Sequence, residues 1–199
     1  MSTVIIVHGW EGNSKSDWIP WLARELKQRE IEVIAPDMPN TDKPRIDAWV
    51  SLLKDAVKEV NEDVYFVGHS IGCQAIVRYL QDLPREKKIG GAVFVAPWTK
   101  LIKEGYTEEE NKIIGAWEET PIKWEDAKSR ASYFVCIYSD NDPVVSVKNA
   151  EEFGRMLRAK LILDAGRGHF SEEDGVTQLP VARDELLAIM GMPVETTAI

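Results

Sequence analysis

Residues 63–76 read DVYFVGHSIGCQAI. An apolar run, 64–67, passes through Gly68-His69-Ser70-Ile71-Gly72 straight into a stretch with helical spacing. A serine with glycine two positions to either side, where a strand gives way to a helix, is what a sharp turn between the two requires. Such a turn forces the serine into a strained backbone conformation, and side chains at the flanking positions would collide as strand and helix approach. It also opens the helix N-terminus, so the Ile71 N–H, with the positive end of the helix dipole behind it, points toward whatever Ser70 attacks. Glycine and serine each make up ~7% of residues, so roughly one chain in fifteen of this length carries the pattern by chance. The setting decides.

That setting is an alternation of strand and helix. Solidly apolar runs predict strands at 3–7, 32–35, 64–67, 91–96, 133–138 and 160–163, and their lack of alternation fits a parallel sheet buried on both faces. Helical periodicity predicts helices at 17–30, 44–61, 71–83, 146–158 and 178–190, with Asp17 and Ser146 as N-caps. The expected fold class is therefore α/β, a doubly wound, mostly parallel six-stranded sheet flanked by helices. Residues 1–190 are expected to form one domain, with a small helical cap at 97–130 and a flexible tail at 191–199. The cap stretch carries three tryptophans, Trp98, Trp117 and Trp124, and the acidic run 108–110.

Size and charge narrow the classes. A chain of 199 residues buries roughly 70% of the surface its unfolded form exposes, so neither metal nor disulfide is needed for stability. A net charge of −9 and a pI near 5.0 disfavour nucleic acid and anionic membrane as partners. Neutral or cationic small molecules remain. Cys73 and Cys136 have no metal-ligand spacing and form no disulfide framework; they read as small core hydrophobes of a reducing compartment, here the cytoplasm. The N-terminal MSTVIIVHGW has neither the basic segment nor the cleavage site of a signal peptide, and its apolar run is too short for a membrane span.

A serine hydroxyl needs a base. Of the three histidines, His8 ends the first strand and His69 adjoins the serine with its side chain aimed elsewhere, so both are expected to pack or hydrogen-bond at strand ends. His169, in DAGRGHF directly after the last strand, sits on a Gly-rich loop that can carry an imidazole over Ser70. YSDNDPVV, residues 138–145, offers Asp140 and Asp142 as the carboxylate that fixes the imidazole tautomer. Chain order serine, aspartate, histidine is that of nucleophile-elbow hydrolases. Pro143 biases the preceding residue, Asp142, toward extended geometry. Asp140 is expected to bond its own loop's backbone.

With VIIVHGW placing His8-Gly9 after the first strand, these residues resemble the α/β-hydrolase superfamily. Within it, HGWEGNSKSDWIPWL, PDMPN, PRIDAWV, GHSIGC, SDNDPVV and GRGHF resemble the small serine hydrolases related to retinoblastoma-binding protein nine and the bacterial YdeN-type proteins. The resemblance implies Ser70, His169 and Asp142 as catalytic residues, since the family's acid sits ahead of a Pro-Val-Val-like run. It also implies the backbone N–H groups of Trp10 and Ile71 as an oxyanion hole, and no cofactor. The Leu-x-Cys-x-Glu sequence is absent, so retinoblastoma binding does not carry over, and no protein partner is assigned. The stretch SEEDGVTQLP after His169 is insertion-like and has no assigned role.

Other motifs admit two readings. PDMPN at 36–40 is a turn fixed by two prolines, or Met38 or Asn40 lines an acyl pocket. The cap tryptophans Trp98, Trp117 and Trp124 are satellite core, or walls of an apolar substrate cleft, with Trp98 the expected substrate-binding residue. SDNDP lacks the ligands and glycine of a calcium loop. The expected function is hydrolysis of a small ester, or a related acyl compound, through a serine acyl-enzyme. A lyase or perhydrolase, a thioesterase or peptidase with the same residues, and a protein-binding module with a vestigial site stand as alternatives.

Overall fold

The structure, a computed structural model, describes residues 1–194. Strands β1 (Thr3–Val7), β2 (Glu32–Ile34), β3 (Val64–His69), β4 (Ile89–Val95), β5 (Ala131–Tyr138) and β6 (Lys160–Leu163) pair in the order β2-β1-β3-β4-β5-β6, all parallel. Helices α1 (Ile19–Lys27), α2 (Ile46–Ala56), α3 (Ile71–Gln81), α4 (Glu108–Glu119), α5 (Trp124–Lys128), α6 (Val147–Leu157) and α7 (Pro180–Ile189) complete it. The chain steps outward from β1 to β2, then returns past β1 to β3. The crevice at that reversal is where ligands collect in open parallel sheets.

Strand side chains alternate between two cores. Ile5, Phe66, Phe94 and Cys136 join α2, α3, α6 and the α4–α5 segment on one face. Val4, Ile6, Val67, Val93, Val95 and Ile137 join α1 and α7 on the other. Because both faces are covered, the central strands contain almost no polar positions, and that is why their runs were legible. Each large aliphatic side chain so buried contributes roughly 1.5–3 kcal/mol. Helix α3 is buried along all but its last residue, sandwiched between β3, α2 and α5.

Element ends differ from the sequence reading by up to five residues, and one cap is wrong. Ser146 caps α6, accepting from the Asn149 N–H. Asp17 does not cap α1: the N-cap is Trp18, which makes no side-chain cap bond, and Asp17 sits at φ 55°. Its carboxylate is turned away to the Glu172 N–H at 2.8 Å. Between β4 and β5, α4 opens with a capping box in which Thr107 and Glu110 exchange hydrogen bonds. Of the run 108–110, then, Glu110 caps while Glu109 pairs with Lys43 at the surface. Of the tail expected at 191–199, residues 195–199 lie outside the described residues, whereas the Gly191 and Met192 N–H groups close α7 on the Ala188 and Leu187 carbonyls.

Arg78 on α3, 2% exposed, ties α3 to the end of α4. Its Nη2 donates to Gln74 Oε1 and to the carbonyls of Trp117 and Thr120 at the end of α4, and the guanidinium lies 5.8 Å from the Trp117 ring centroid. Burial pulls its pKa down to about 10, which leaves it charged at neutral pH and complementary to a helix C-terminus.

Candidate active site

Ser70 follows β3 and precedes α3 at φ 52°, ψ −120°, a backbone strain on the order of 1–3 kcal/mol that the surrounding packing must hold. Its N–H donates to the Val95 carbonyl at 2.9 Å. A Cβ on Gly68 would lie 2.7 Å from Ile76 Cδ1 and 3.0 Å from the Cys73 nitrogen, so Gly68 lets α3 fold back over β3. Gly72 answers to a different strand. A Cβ there would lie 2.6 Å from both the Val7 and His8 carbonyl oxygens at the end of β1. Gly72→Ala is accordingly expected to lower stability by about 1–3 kcal/mol, read as a lower urea midpoint at unchanged slope; a midpoint equal to the native one would contradict this packing.

Three side chains from three strand ends meet in line. The Ser70 hydroxyl donates to His169 Nε2 at 2.9 Å, and His169 Nδ1 donates to Asp142 Oδ2 at 2.9 Å. Asp142 is an acceptor at both oxygens, since Oδ1 takes the N–H groups of Val144 and Val145 at 2.8 and 2.9 Å. The carboxylate thereby fixes the proton on Nδ1 and leaves Nε2 free to accept. Such a chain can draw a proton from a hydroxyl as that oxygen attacks a carbonyl.

His169 lies between β6 and α7 on a segment without helix or strand, and side chains hold it in place. Asp140 Oδ1 accepts from the Gly166 N–H, Ser139 Oγ from the Arg167 N–H and Asn141 Oδ1 from the Gly168 N–H, at 2.8, 2.9 and 2.8 Å. The local role expected of Asp140 therefore belongs to Asp142, while Asp140 reaches across to the histidine loop. Nothing in the linear spacing marks that pairing, because the two loops meet only when β5 and β6 lie side by side. Downstream, Asp174 Oδ2 accepts from the His169 N–H at 2.8 Å and from the Ser171 hydroxyl, which gives the unassigned stretch after His169 a place in the site.

The other two histidines sit at strand ends. His8 is fully buried, donates from Nδ1 to the Gly9 carbonyl at 2.7 Å and accepts the Met38 N–H at Nε2, 2.9 Å. Burial pushes its pKa down against the opposing pull of the Gly9 carbonyl, so His8 is a neutral link between the β1 and β2 loops. His69, 3% exposed, donates from Nε2 to the His169 carbonyl at 2.8 Å.

Ser70 and His169 open into a cleft of about 830 Å³. Trp10, Ile71 and Trp98 line it; Met38 does not. Met38 is 3% exposed and packed in the core, because its backbone bond to His8 turns it inward. Trp117 is core, its Nε1 donating to the Pro44 carbonyl, and Trp124 packs edge-on to Phe153. Sequence reasoning missed Tyr106, from the segment before α4, whose ring stacks on Trp10 at 6.3 Å and forms one wall. It also missed the acidic lining, six carboxylates that include Glu11, Glu172 and Glu173, against a single lining lysine, Lys15. Among the described residues no group of three His, Cys, Asp or Glu side chains could hold a metal ion, and no helix is long and apolar enough to cross a membrane.

A family model described as serine hydrolase matches residues 4–188. The chain is 32% identical over 183 residues to the YdeN hydrolase of Bacillus subtilis (strain 168), covering 92% of this chain and 93% of that protein. It is 24% identical over 171 residues to the serine hydrolase RBBP9 of Rattus norvegicus, covering 85% and 82%. The crystal structure of the B. subtilis ydeN gene product superposes with a TM-score of 0.88, at 26% identity, over 96% of this chain and all of that one. These likenesses bear out the expected α/β-hydrolase fold.

Proposed function

The chain belongs to the serine hydrolase family, and from that premise we propose that it hydrolyses a small carboxylic ester through a serine acyl-enzyme. Ser70 Oγ forms a bond to the acyl carbon while His169 Nε2 takes the hydroxyl proton. The tetrahedral oxyanion is received by the N–H groups of Trp10 and Ile71, the latter the first residue of α3 and without a carbonyl one turn behind it. As the C–O bond of the ester breaks, His169 passes the proton to the departing alkoxide and the alcohol leaves. Water then attacks the acyl-enzyme with His169 again as base, releasing the carboxylic acid and restoring Ser70. Asp142 holds the imidazole and offsets the imidazolium charge.

The observation that supports this reading most is the Ser70–His169–Asp142 hydrogen-bonded line opening on the cleft. Supporting a cytoplasmic setting, Cys73 and Cys136 are free and buried, and burial pushes both thiols well up from their ordinary values, as befits inert core residues. Labelling with a fluorophosphonate, followed by p-nitrophenyl esters, thioesters and aminoacyl amides, tests the proposal. Labelled serine with ester turnover is expected; absence of labelling would refute it, and turnover confined to thioesters or amides would move the substrate class.

Trp98, 1% exposed yet lining the cleft, should set the acyl length, since one methylene in a closed pocket is worth about 1–3 kcal/mol. Acetate and butyrate esters are expected to outrun decanoate. Trp98→Leu should shift kcat/KM toward the longer chains, and an unchanged profile in a folded variant would place the limit elsewhere.

A further inference from the structure

His169 carries two backbone groups as well as its ring, and the structure accounts for both. The N–H is taken by Asp174. The carbonyl is taken by His69, whose Nε2 stands 2.8 Å from it. A carbonyl oxygen can only accept, so Nε2 of His69 carries a proton. The two imidazoles also touch, with ring centroids 5.2 Å apart and planes tilted by 39°. His69 is locked from its other sides: Trp18 meets its ring edge-on at 5.8 Å, and a Cβ on Gly9 would come within 3.3 Å of its Nδ1.

That Nδ1 faces Asp17, whose Oδ2 lies 3.5 Å away, at the limit of hydrogen-bond reach, while Oδ1 accepts the Glu172 N–H at 2.8 Å. Asp17 is half-buried; burial alone would raise its pKa, but the facing His69 and the Glu172 N–H hold its carboxyl below the ordinary value. The pair thus reaches the histidine loop twice, at residue 169 and at residue 172. Asp17 belongs to the loop after β1 that also carries Trp10, and His69 to the end of β3 beside Ser70. Three segments bearing reacting groups are tied together by these two side chains.

We propose that His69 and Asp17 are positioning residues which set the His169 imidazole against Ser70. This rests on the reading of Ser70 and His169 as nucleophile and base. The physical reason is the loop's lack of regular structure: the His169 carbonyl has no strand or helix partner to hold it. Upstream, the Asp140, Ser139 and Asn141 contacts fix the chain only as far as Gly168. Released at the carbonyl, the peptide joining His169 to Phe170 keeps only the Phe170 N–H bond to the Arg167 carbonyl at 3.0 Å, a contact within the same loop, so the loop can shift as a unit, and displacement of a proton-transfer group by about 1 Å lowers rate on the order of 10²-fold. His69 lines the cleft, but its Nε2 is on the His169 carbonyl and its Nδ1 is buried, so the expected effect is on kcat.

The test compares His69→Leu with His69→Gln on p-nitrophenyl acetate and on fluorophosphonate labelling, with thermal denaturation as a folding check. Leucine removes the donor; the glutamine amide can restore an N–H near the position of Nε2. His69→Leu is expected to lower kcat on the order of 10²-fold at nearly constant KM and to slow labelling in parallel, with His69→Gln recovering most of the loss. Equal losses in the two folded variants, a change confined to KM, or an undiminished kcat in His69→Leu would overturn the assignment. Should His69→Leu not fold, Asp17→Ala against Asp17→Asn gives the same contrast, since asparagine keeps an acceptor for the Glu172 N–H. A native chain that neither labels nor turns over would overturn the nucleophile reading itself and the positioning role with it, whereas native activity with indifferent variants would overturn only the latter.

Discussion

Ser70→Ala is expected to lower kcat on p-nitrophenyl acetate on the order of 10⁶-fold and to abolish fluorophosphonate labelling. The size follows from the site having one hydroxyl in line with His169. Ser70 Oγ is the oxygen 2.9 Å from His169 Nε2, and Ser171, though it also lines the cleft, donates its hydroxyl to Asp174. In the proposed mechanism, removing Oγ takes away the acyl acceptor, and what survives is catalysis by the proposed oxyanion donors and binding alone. The fold should tolerate the change: Ser70 makes no side-chain cap bond to α3, and alanine removes a single oxygen. Circular dichroism and the urea midpoint should match the native protein within about 1 kcal/mol. The measurement is intact-mass analysis after probe treatment together with the initial rate. Full labelling of the alanine variant would show that another residue is the nucleophile.

Asp142→Asn should reduce kcat by roughly 10⁴-fold with the fold intact. Asn Oδ1 can still accept the Val144 and Val145 N–H groups that Asp142 Oδ1 accepts now, so the loop keeps its shape. The other amide atom is then an NH₂ group facing His169 Nδ1. Two donors cannot share a hydrogen bond, so the imidazole is driven to the tautomer with its proton on Nε2, which can no longer take one from Ser70. The partner experiment is Asp140→Asn, where the surviving carbonyl oxygen still accepts the Gly166 N–H that Asp140 Oδ1 holds at 2.8 Å; its kcat should fall by less than about tenfold. A crippled Asp140→Asn beside an active Asp142→Asn would exchange the two roles.

The fold was legible because its signals are local. Strands buried on both faces must be continuously apolar, and Phe66, Val67, Val93 and Phe94 are fully buried as their runs imply. The Gly68-x-Ser70-x-Gly72 spacing marked the elbow, and chain order with Pro143 marked Asp142 and His169, whose hydrogen-bonded geometry accords with that reading. Each of these depends on a residue's neighbours in sequence. Tertiary structure decided the rest. That Gly72 clears β1 rather than β3, that Asp17 abandons its helix for the loop at 172, and that Asp140 serves the histidine loop all follow from the parallel sheet bringing the loops after β1, β3, β5 and β6 to one end. Met38 went to the core because a buried His8 needed a backbone donor, and Tyr106 came to the cleft because the segment before α4 stacks it on Trp10. Hydrogen bonds and stacking act over a few ångströms in space. Their partners here lie from 26 to 155 positions apart in sequence, so no window on the chain contains both ends.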